Sequence, residues 1–128
     1  MFLSKDQFLQ ANDLKREAVE CPEAGEGAQV WARGLTAAER GRLVSSNGEA
    51  GERWQESYQA KLAALGSEDE DGNPLFEFTD YKFLMKKSAT MIGRIAEAVE
   101  RLSVIAPKAM EEAEKNSSEA QSEDLSSD

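Results

Sequence analysis

The residues of this chain that could perform chemistry are mostly carboxylates, because the sequence has 25 Asp and Glu residues, one cysteine and no histidine. Without histidine, neither a Ser–His nor a Cys–His catalytic pair can form, and a zinc site built from histidine and cysteine is excluded. Carboxylate pairs arise by chance among so many acidic residues, and no glycine-rich phosphate-binding motif occurs. We therefore predict that the protein is not an enzyme and has no catalytic residue, no cofactor and no metal ligand.

The cysteine, Cys21, precedes Pro22 in a stretch where polar and apolar residues alternate. A single cysteine cannot form an internal disulfide, so it gives no sign of an oxidising compartment. We interpret Cys21 as a small, half-buried hydrophobic residue and not as a reactive thiol.

One acidic loop imitates a calcium-binding loop. Asp69, Asp71 and Asn73 occupy the first, third and fifth ligand positions, but Pro74 stands at the sixth, where the turn requires glycine. The twelfth position holds Asp80 instead of the bidentate glutamate. We therefore predict a plain turn at this loop and no bound calcium.

The formal net charge is −10. This charge disfavours binding to nucleic acids, because a protein binds them by neutralising their phosphates with lysine and arginine. The apolar runs are far shorter than the ~20 residues that cross a bilayer. The N-terminus lacks the apolar region of a signal peptide. We therefore expect no nucleic-acid partner, no membrane partner and a cytosolic location.

Alternation of polar and apolar residues over 17–21 and again over 29–33 predicts a β-hairpin, since a glycine-rich connection lies between the two stretches. An isolated hairpin is marginally stable, so helices must pack over its apolar face. Two capping boxes, at Ser4–Gln7 and at Thr36–Glu39, predict the first two of these helices. The first should bury Phe8 and Leu9, and the second should stop near residues 47–48.

A third helix is predicted from Glu52 to Gly66, because apolar residues recur along it at helical spacing. Thr79 is predicted to cap a last helical region that begins at Asp80 and breaks near Ser88. The apolar positions of the two helices form one stripe each: Trp54, Tyr58, Leu62 and Leu65 in the third, and Ile92, Ile95, Val99 and Leu102 in the last.

From Glu111 onward the chain has seven acidic residues, one lysine, five serines and almost nothing apolar, a composition typical of disorder. The predicted fold class is therefore α+β and mostly α. A small N-terminal β-hairpin is packed by several short helices in a folded domain over residues 1–107. A disordered acidic C-terminal tail follows over residues 108–128.

Several stretches, taken in order, resemble the tail assembly chaperones of long-tailed bacteriophages. In that family an alternating strand ending in Pro-Glu pairs with a strand ending in Arg-Gly-Leu-Thr, and a helix follows. The matching stretches cover about residues 1–117 and are 17–23, 30–40, 69–76, 87–89, 101–103 and 114–117.

The resemblance implies a non-enzymatic chaperone that binds the tape measure protein during tail assembly in the cytoplasm of the infected bacterium and is absent from the mature virion. Self-association is a further possibility. Two rival classes stay open at this point. One is an acidic DNA-mimic inhibitor, and the other is a small virion protein that completes the tail or joins it to the head.

Phages with such chaperones commonly make a second, longer product by a backward ribosomal slip of one nucleotide. The codons of Glu114, Lys115 and Asn116 permit a slippery heptanucleotide, and those of residues 106–108 permit a second choice. Lys86-Lys87 does not, because the codon of Met85 ends in G and breaks the run. The resemblance thus implies that this chain is the shorter, unshifted product, and that a longer product recruits the tail tube protein.

Overall fold

A computed structural model describes residues 1–48 and 51–105 of the chain. Within these ranges the protein contains five α-helices and one three-stranded antiparallel sheet. The elements follow in the order α1 (Lys5–Gln10), β1 (Arg16–Glu20), β2 (Gln29–Arg33), α2 (Ala37–Ser45), α3 (Trp54–Gly66), β3 (Ser67–Glu68), α4 (Tyr81–Leu84) and α5 (Ala89–Ser103). The predicted fold class, α+β and mostly α, is confirmed. The predicted boundary at residue 107 and the tail over 108–128 lie outside the described residues.

The predicted hairpin is confirmed, with Ala18 opposite Trp31 and Val19 opposite Val30. Val19 and Ala32 face the interior, whereas Arg16, Ala18 and Glu20 are exposed, as the two-residue period of a strand requires. The sheet also has a strand that the sequence did not reveal. β3 pairs antiparallel with the end of β2, placing Glu68 opposite Trp31.

The core lies between α3, α5 and the inner face of the sheet. The stripe predicted for α5 is confirmed, since Ile92, Ile95 and Val99 are buried and Leu102 is partly buried. α3 differs from its prediction in that residues 57–66 are buried except at Gln59. This helix is a central element and not a surface helix with a single apolar stripe.

The capping predictions succeeded twice and failed once. Ser4 and Thr36 each accept a hydrogen bond from the backbone three residues on, and both capping boxes are complete. Thr79 was predicted wrongly as a cap, because it lies inside a 3₁₀ turn over Phe78–Asp80 that begins after Glu77. Asp80 instead bonds back to the backbone N–H of Glu77 at 2.9 Å.

α1 also differs from its prediction, because Phe8 and Leu9 are 67% and 68% exposed. The helix is set by its local capping box, but no residue of α1 is buried. The prediction of burial was wrong because a capping box determines where a helix starts and not what it packs against. None of the helices in residues 1–48 and 51–105 is both long enough and apolar enough to span a membrane.

Candidate docking site

The most highly connected side chain of the described structure is Arg33, at the end of β2. Its guanidinium donates to the Glu68 carboxylate at 2.8 Å and to both carboxylate oxygens of Glu39 at 2.9 and 3.0 Å. It also donates to the carbonyls of Gly34 and Leu65 at 2.7 and 3.3 Å. These contacts engage all five N–H groups of the guanidinium. Arg33 therefore fastens the sheet to the start of α2 and to the end of α3.

The Glu39 carboxylate belongs to this network and to the capping box of α2. Burial by itself would raise the pKa of Glu39, but the hydrogen bonds from Arg33 and from the backbone of Thr36 outweigh it. The pKa of Glu39 is therefore lowered, and its charge is stabilised. Both oxygens of this carboxylate are bonded within the protein, so Glu39 has a structural role.

Lys61 is a buried lysine in the middle of α3, and its side chain has no exposed surface. Its ammonium donates to the Ser46 carbonyl at 3.0 Å and lies 3.8 Å from a Glu52 oxygen. The hydroxyl of Tyr81, whose ring the ammonium faces at 4.9 Å, also donates to Glu52 at 3.0 Å. This cluster joins α2, α3 and α4. Sequence reasoning missed it, although a lysine inside an apolar run was a visible signal.

Two further arginines attach α5 to the hairpin. Arg94 forms two hydrogen bonds with Glu23, at 3.0 and 3.1 Å, and Arg101 forms two with Glu17, at 2.7 and 2.8 Å. The two arginines are seven residues apart, so they lie on one face of the helix. Glu23 and Glu17 both have lowered pKa values, and the largest cause is the hydrogen bond from their arginine.

The acidic loop folds as a turn. A single oxygen of Asp69 accepts the backbone N–H groups of Asp71 and Asn73 at 2.9 and 3.0 Å, and Gly72 has a positive φ of 84°. That oxygen is committed to the loop's own backbone, an arrangement typical of an Asx turn. Across the described part of the chain, no three Asp, Glu or Cys side chains converge closely enough to hold a metal ion.

Cys21 directly follows β1 and is fully buried, whereas its apolar neighbourhood predicted a half-buried residue. Burial raises the pKa of its thiol. A thiol that is both shielded and protonated is a poor nucleophile. This geometry agrees with the structural interpretation of Cys21.

The N-terminal arm, residues 1–14, exposes a concentration of large apolar side chains. They are Met1, Phe2, Leu3, Phe8, Leu9 and Leu14. Isolated exposed apolar residues are ordinary, but six of them within 14 residues, including Phe8 and Leu9 side by side in the sequence of α1, are typical of an interaction surface. The arm is therefore a candidate docking site for an apolar partner.

A groove of about 480 Å³ lies between α2, α3 and the loop of residues 74–79. Its apolar lining includes Leu65 and Phe76, and the Arg42 guanidinium stacks on the Phe78 ring at 4.5 Å. Glu39 and Glu77 also line it. The groove is thus amphipathic and offers a second candidate surface. The predicted slip position at Glu114, Lys115 and Asn116 lies outside the described residues.

No protein-family model matches the sequence, and no curated protein matches it. The solved structure of the tail assembly chaperone of bacteriophage HK97 is similar to this chain, with a TM-score of 0.52 and 14% sequence identity. The match covers 80% of this chain and 92% of that chain. The chain has the fold of a phage tail assembly chaperone. The resemblance seen in the sequence is therefore confirmed at the level of the fold.

Proposed function

We propose that this protein is an assembly chaperone that binds the tape measure protein during phage tail assembly and is not an enzyme. The observation that carries the proposal is the likeness of the whole fold to the HK97 tail assembly chaperone. The proposal places its action in the cytoplasm of the infected bacterium and leaves it out of the mature virion.

The physical basis for binding is the N-terminal arm. A chaperone that holds an aggregation-prone helical partner needs apolar groups that bind reversibly, on a body whose charge keeps the complex soluble. The arm supplies Phe8 and Leu9 on a capped helix, and the chain supplies a net charge of −10. Because α1 exists before the partner arrives, less conformational entropy is lost on binding.

The proposal extends to further partners. This chain is the shorter, unshifted product, and a longer product made by a ribosomal slip at Glu114–Asn116 recruits the tail tube protein. The arm also allows self-association of the chain. Sequencing the gene tests the slip directly. The idea would be overturned if neither Glu114–Asn116 nor residues 106–108 were encoded by a slippery heptanucleotide, or if the −1 reading frame were closed beyond both sites.

Four of the described glutamates argue against a DNA mimic. A mimic must present carboxylates outward at the spacing of phosphates, whereas Glu17, Glu23, Glu39 and Glu68 are each bonded to an arginine of the same chain. Their charge is therefore neutralised locally. The virion-protein alternative is tested by mass spectrometry of purified particles, in which the proposal expects the chain to be absent.

The decisive experiment is co-expression with the tape measure protein encoded by the same phage. We expect the tape measure protein to become soluble and to co-purify with this chain, and to precipitate when expressed alone. The double substitution Phe8→Ser, Leu9→Ser should abolish co-purification. Phe83→Ser is the matched control, because Phe83 is 65% exposed but lies outside the arm. A tape measure protein that stays insoluble with the wild-type chain would overturn the proposal, whereas equal loss in both variants would overturn the assignment to the arm.

A further inference from the structure

Residues 82–87 comprise most of α4 and the start of its connection to α5, and they expose both basic and apolar side chains. Lys82, Lys86 and Lys87 are exposed, as are Phe83 and Met85, which are 65% and 40% accessible. Leu84 is buried and anchors the segment to the core. We define these six residues as the basic knob.

The lysines of the knob differ from the arginines that hold the sheet and the helices together. Arg16, Arg33, Arg94 and Arg101 are each paired with a glutamate. Within the described ranges, by contrast, no ion pair involves a lysine of the knob. An uncompensated cluster of three positive charges around two exposed apolar side chains suits an acidic segment that also carries apolar residues.

The chain itself contains such a segment. Residues 106–128 include seven acidic and two basic residues, together with Met110 and Leu125. We propose that the acidic C-terminal segment docks on the basic knob of the same molecule. Its carboxylates face the three lysines, and its apolar residues cover Phe83 and Met85.

The geometry of the chain permits this contact. The knob precedes the first turn of α5, and the described chain ends at Ile105, just after the last turn of that helix. The 15 residues of α5 span ~22 Å at ~1.5 Å per residue. The acidic run begins at Glu111, and about seven extended residues already cover that distance. The segment that follows Ile105 has 23 residues, so it is long enough to bring its carboxylates to the knob.

Weak contacts are sufficient for a tethered segment. An exposed ion pair contributes little binding energy, too little to hold a separate molecule. A segment on a short tether, however, faces its site at an effective concentration on the order of millimolar. The contact should therefore form within one molecule, and it should weaken strongly with salt because the charges lie at the surface.

Paramagnetic relaxation in the full-length protein tests the contact. Cys21→Ala removes the native thiol, Ser122→Cys receives a nitroxide, and the loss of amide signal is mapped by NMR. We expect selective loss at residues 82–87. Lys82→Glu, Lys86→Glu, Lys87→Glu together should abolish that loss, and so should about 1 M NaCl, where the Debye length is ~3 Å. The control Lys5→Glu, Lys15→Glu, which reverses exposed lysines elsewhere, should retain it.

Three results would overturn the proposal. The first is no selective loss at the knob in the spin-labelled protein. The second is loss that persists unchanged in the triple charge reversal, which would make the contact non-specific. The third comes from a mixture in which one population carries the isotope label and no nitroxide, and the other carries the nitroxide and no isotope label. If the amide signals of the knob were lost as strongly in this mixture as in the doubly labelled protein, the contact would be with a second copy of the chain.

Discussion

Gly66 lies directly against Val99, so that a Cβ atom on Gly66 would stand 2.5 Å from Val99 Cγ2 and 3.0 Å from the Arg33 carbonyl oxygen. The end of α3 thus approaches α5 and β2 more closely than any side chain would allow. Gly66 was predicted only to end a helix. The structure gives Gly66 a second role, because these three elements can pack this closely only where the residue has no side chain.

Gly66→Ala should destabilise the protein by about 1–3 kcal/mol, since an added methyl group must displace Val99 and the backbone of Arg33. Chemical denaturation measures the change in the free energy of unfolding. Gly93→Ala is the matched control, because the new Cβ would lie 3.6 Å or more from its neighbours. It should be neutral or stabilising by up to about 1 kcal/mol through helix propensity. Equal destabilisation by both substitutions would contradict this account.

What the sequence predicted well depends on local interactions. The capping boxes at Ser4 and Thr36, the hairpin and the stripe of α5 all involve residues within a few positions of one another or a repeating period. Such features form in many different folds, so they can be predicted from the sequence without knowledge of the fold. The same reasoning found the chaperone fold only by resemblance, because no motif specifies it.

What the sequence missed depends on contacts between distant residues. β3 has only two residues, too few for an alternating pattern, and it is a strand because β2 lies beside it. Arg33 reaches Glu68, 35 positions away, and no spacing rule predicts such a pair. The exposure of Phe8 and Leu9 was missed for the converse reason, since apolar periodicity does not say whether a partner lies in the same chain.

The Arg33 network predicts that Arg33 contributes much more to the free energy of unfolding than Arg94 does. Arg33→Ala should destabilise the protein by about 3 kcal/mol, because it leaves the partly buried Glu39 without its cation and leaves Glu68 with only the longer contact to Arg16, at 3.4 Å. Arg33→Lys should recover only part of that loss, since an ammonium cannot reproduce the planar fork. Arg94→Ala, in an exposed pair with Glu23, is the matched control and should change stability little. Similar losses at both arginines in a denaturation experiment would refute the assignment of Arg33 as the central fastening.

Glu100 predicts an unusual pH dependence. Burial raises its pKa, the charge of Glu97 adds to the shift, and the Tyr58 hydroxyl opposes it. A carboxyl whose pKa is higher in the folded state than in the unfolded state destabilises the fold while it is ionised. The free energy of unfolding therefore rises as the pH falls through the folded pKa and the carboxyl becomes protonated. Glu100→Gln should therefore stabilise the protein at neutral pH and lose this advantage below the ordinary carboxyl pKa of 4.5.

Glu39 is a control for Glu100, because its contribution to stability is expected to change with pH in the opposite direction. Its pKa is lowered in the folded protein, so its contribution is present above the ordinary carboxyl pKa and is lost as the pH falls through the folded value. Glu39→Gln should therefore destabilise the protein at neutral pH, and the difference from the wild type should shrink in acid. Urea denaturation across this pH range distinguishes the two residues, and parallel curves for both variants would contradict the prediction.

The last prediction separates the core from the proposed docking arm. Ile95 is 4% exposed in the core, whereas Leu9 is 68% exposed on α1. Ile95→Ala should cost on the order of 2–4 kcal/mol, because a cavity replaces buried methyl groups, and Leu9→Ala should leave the free energy of unfolding nearly unchanged. Co-purification with the tape measure protein should respond in the opposite order, with Leu9→Ala the more damaging under conditions where both variants are folded. If Ile95→Ala left stability intact and abolished partner binding, the α5 stripe would be the partner groove and not the core.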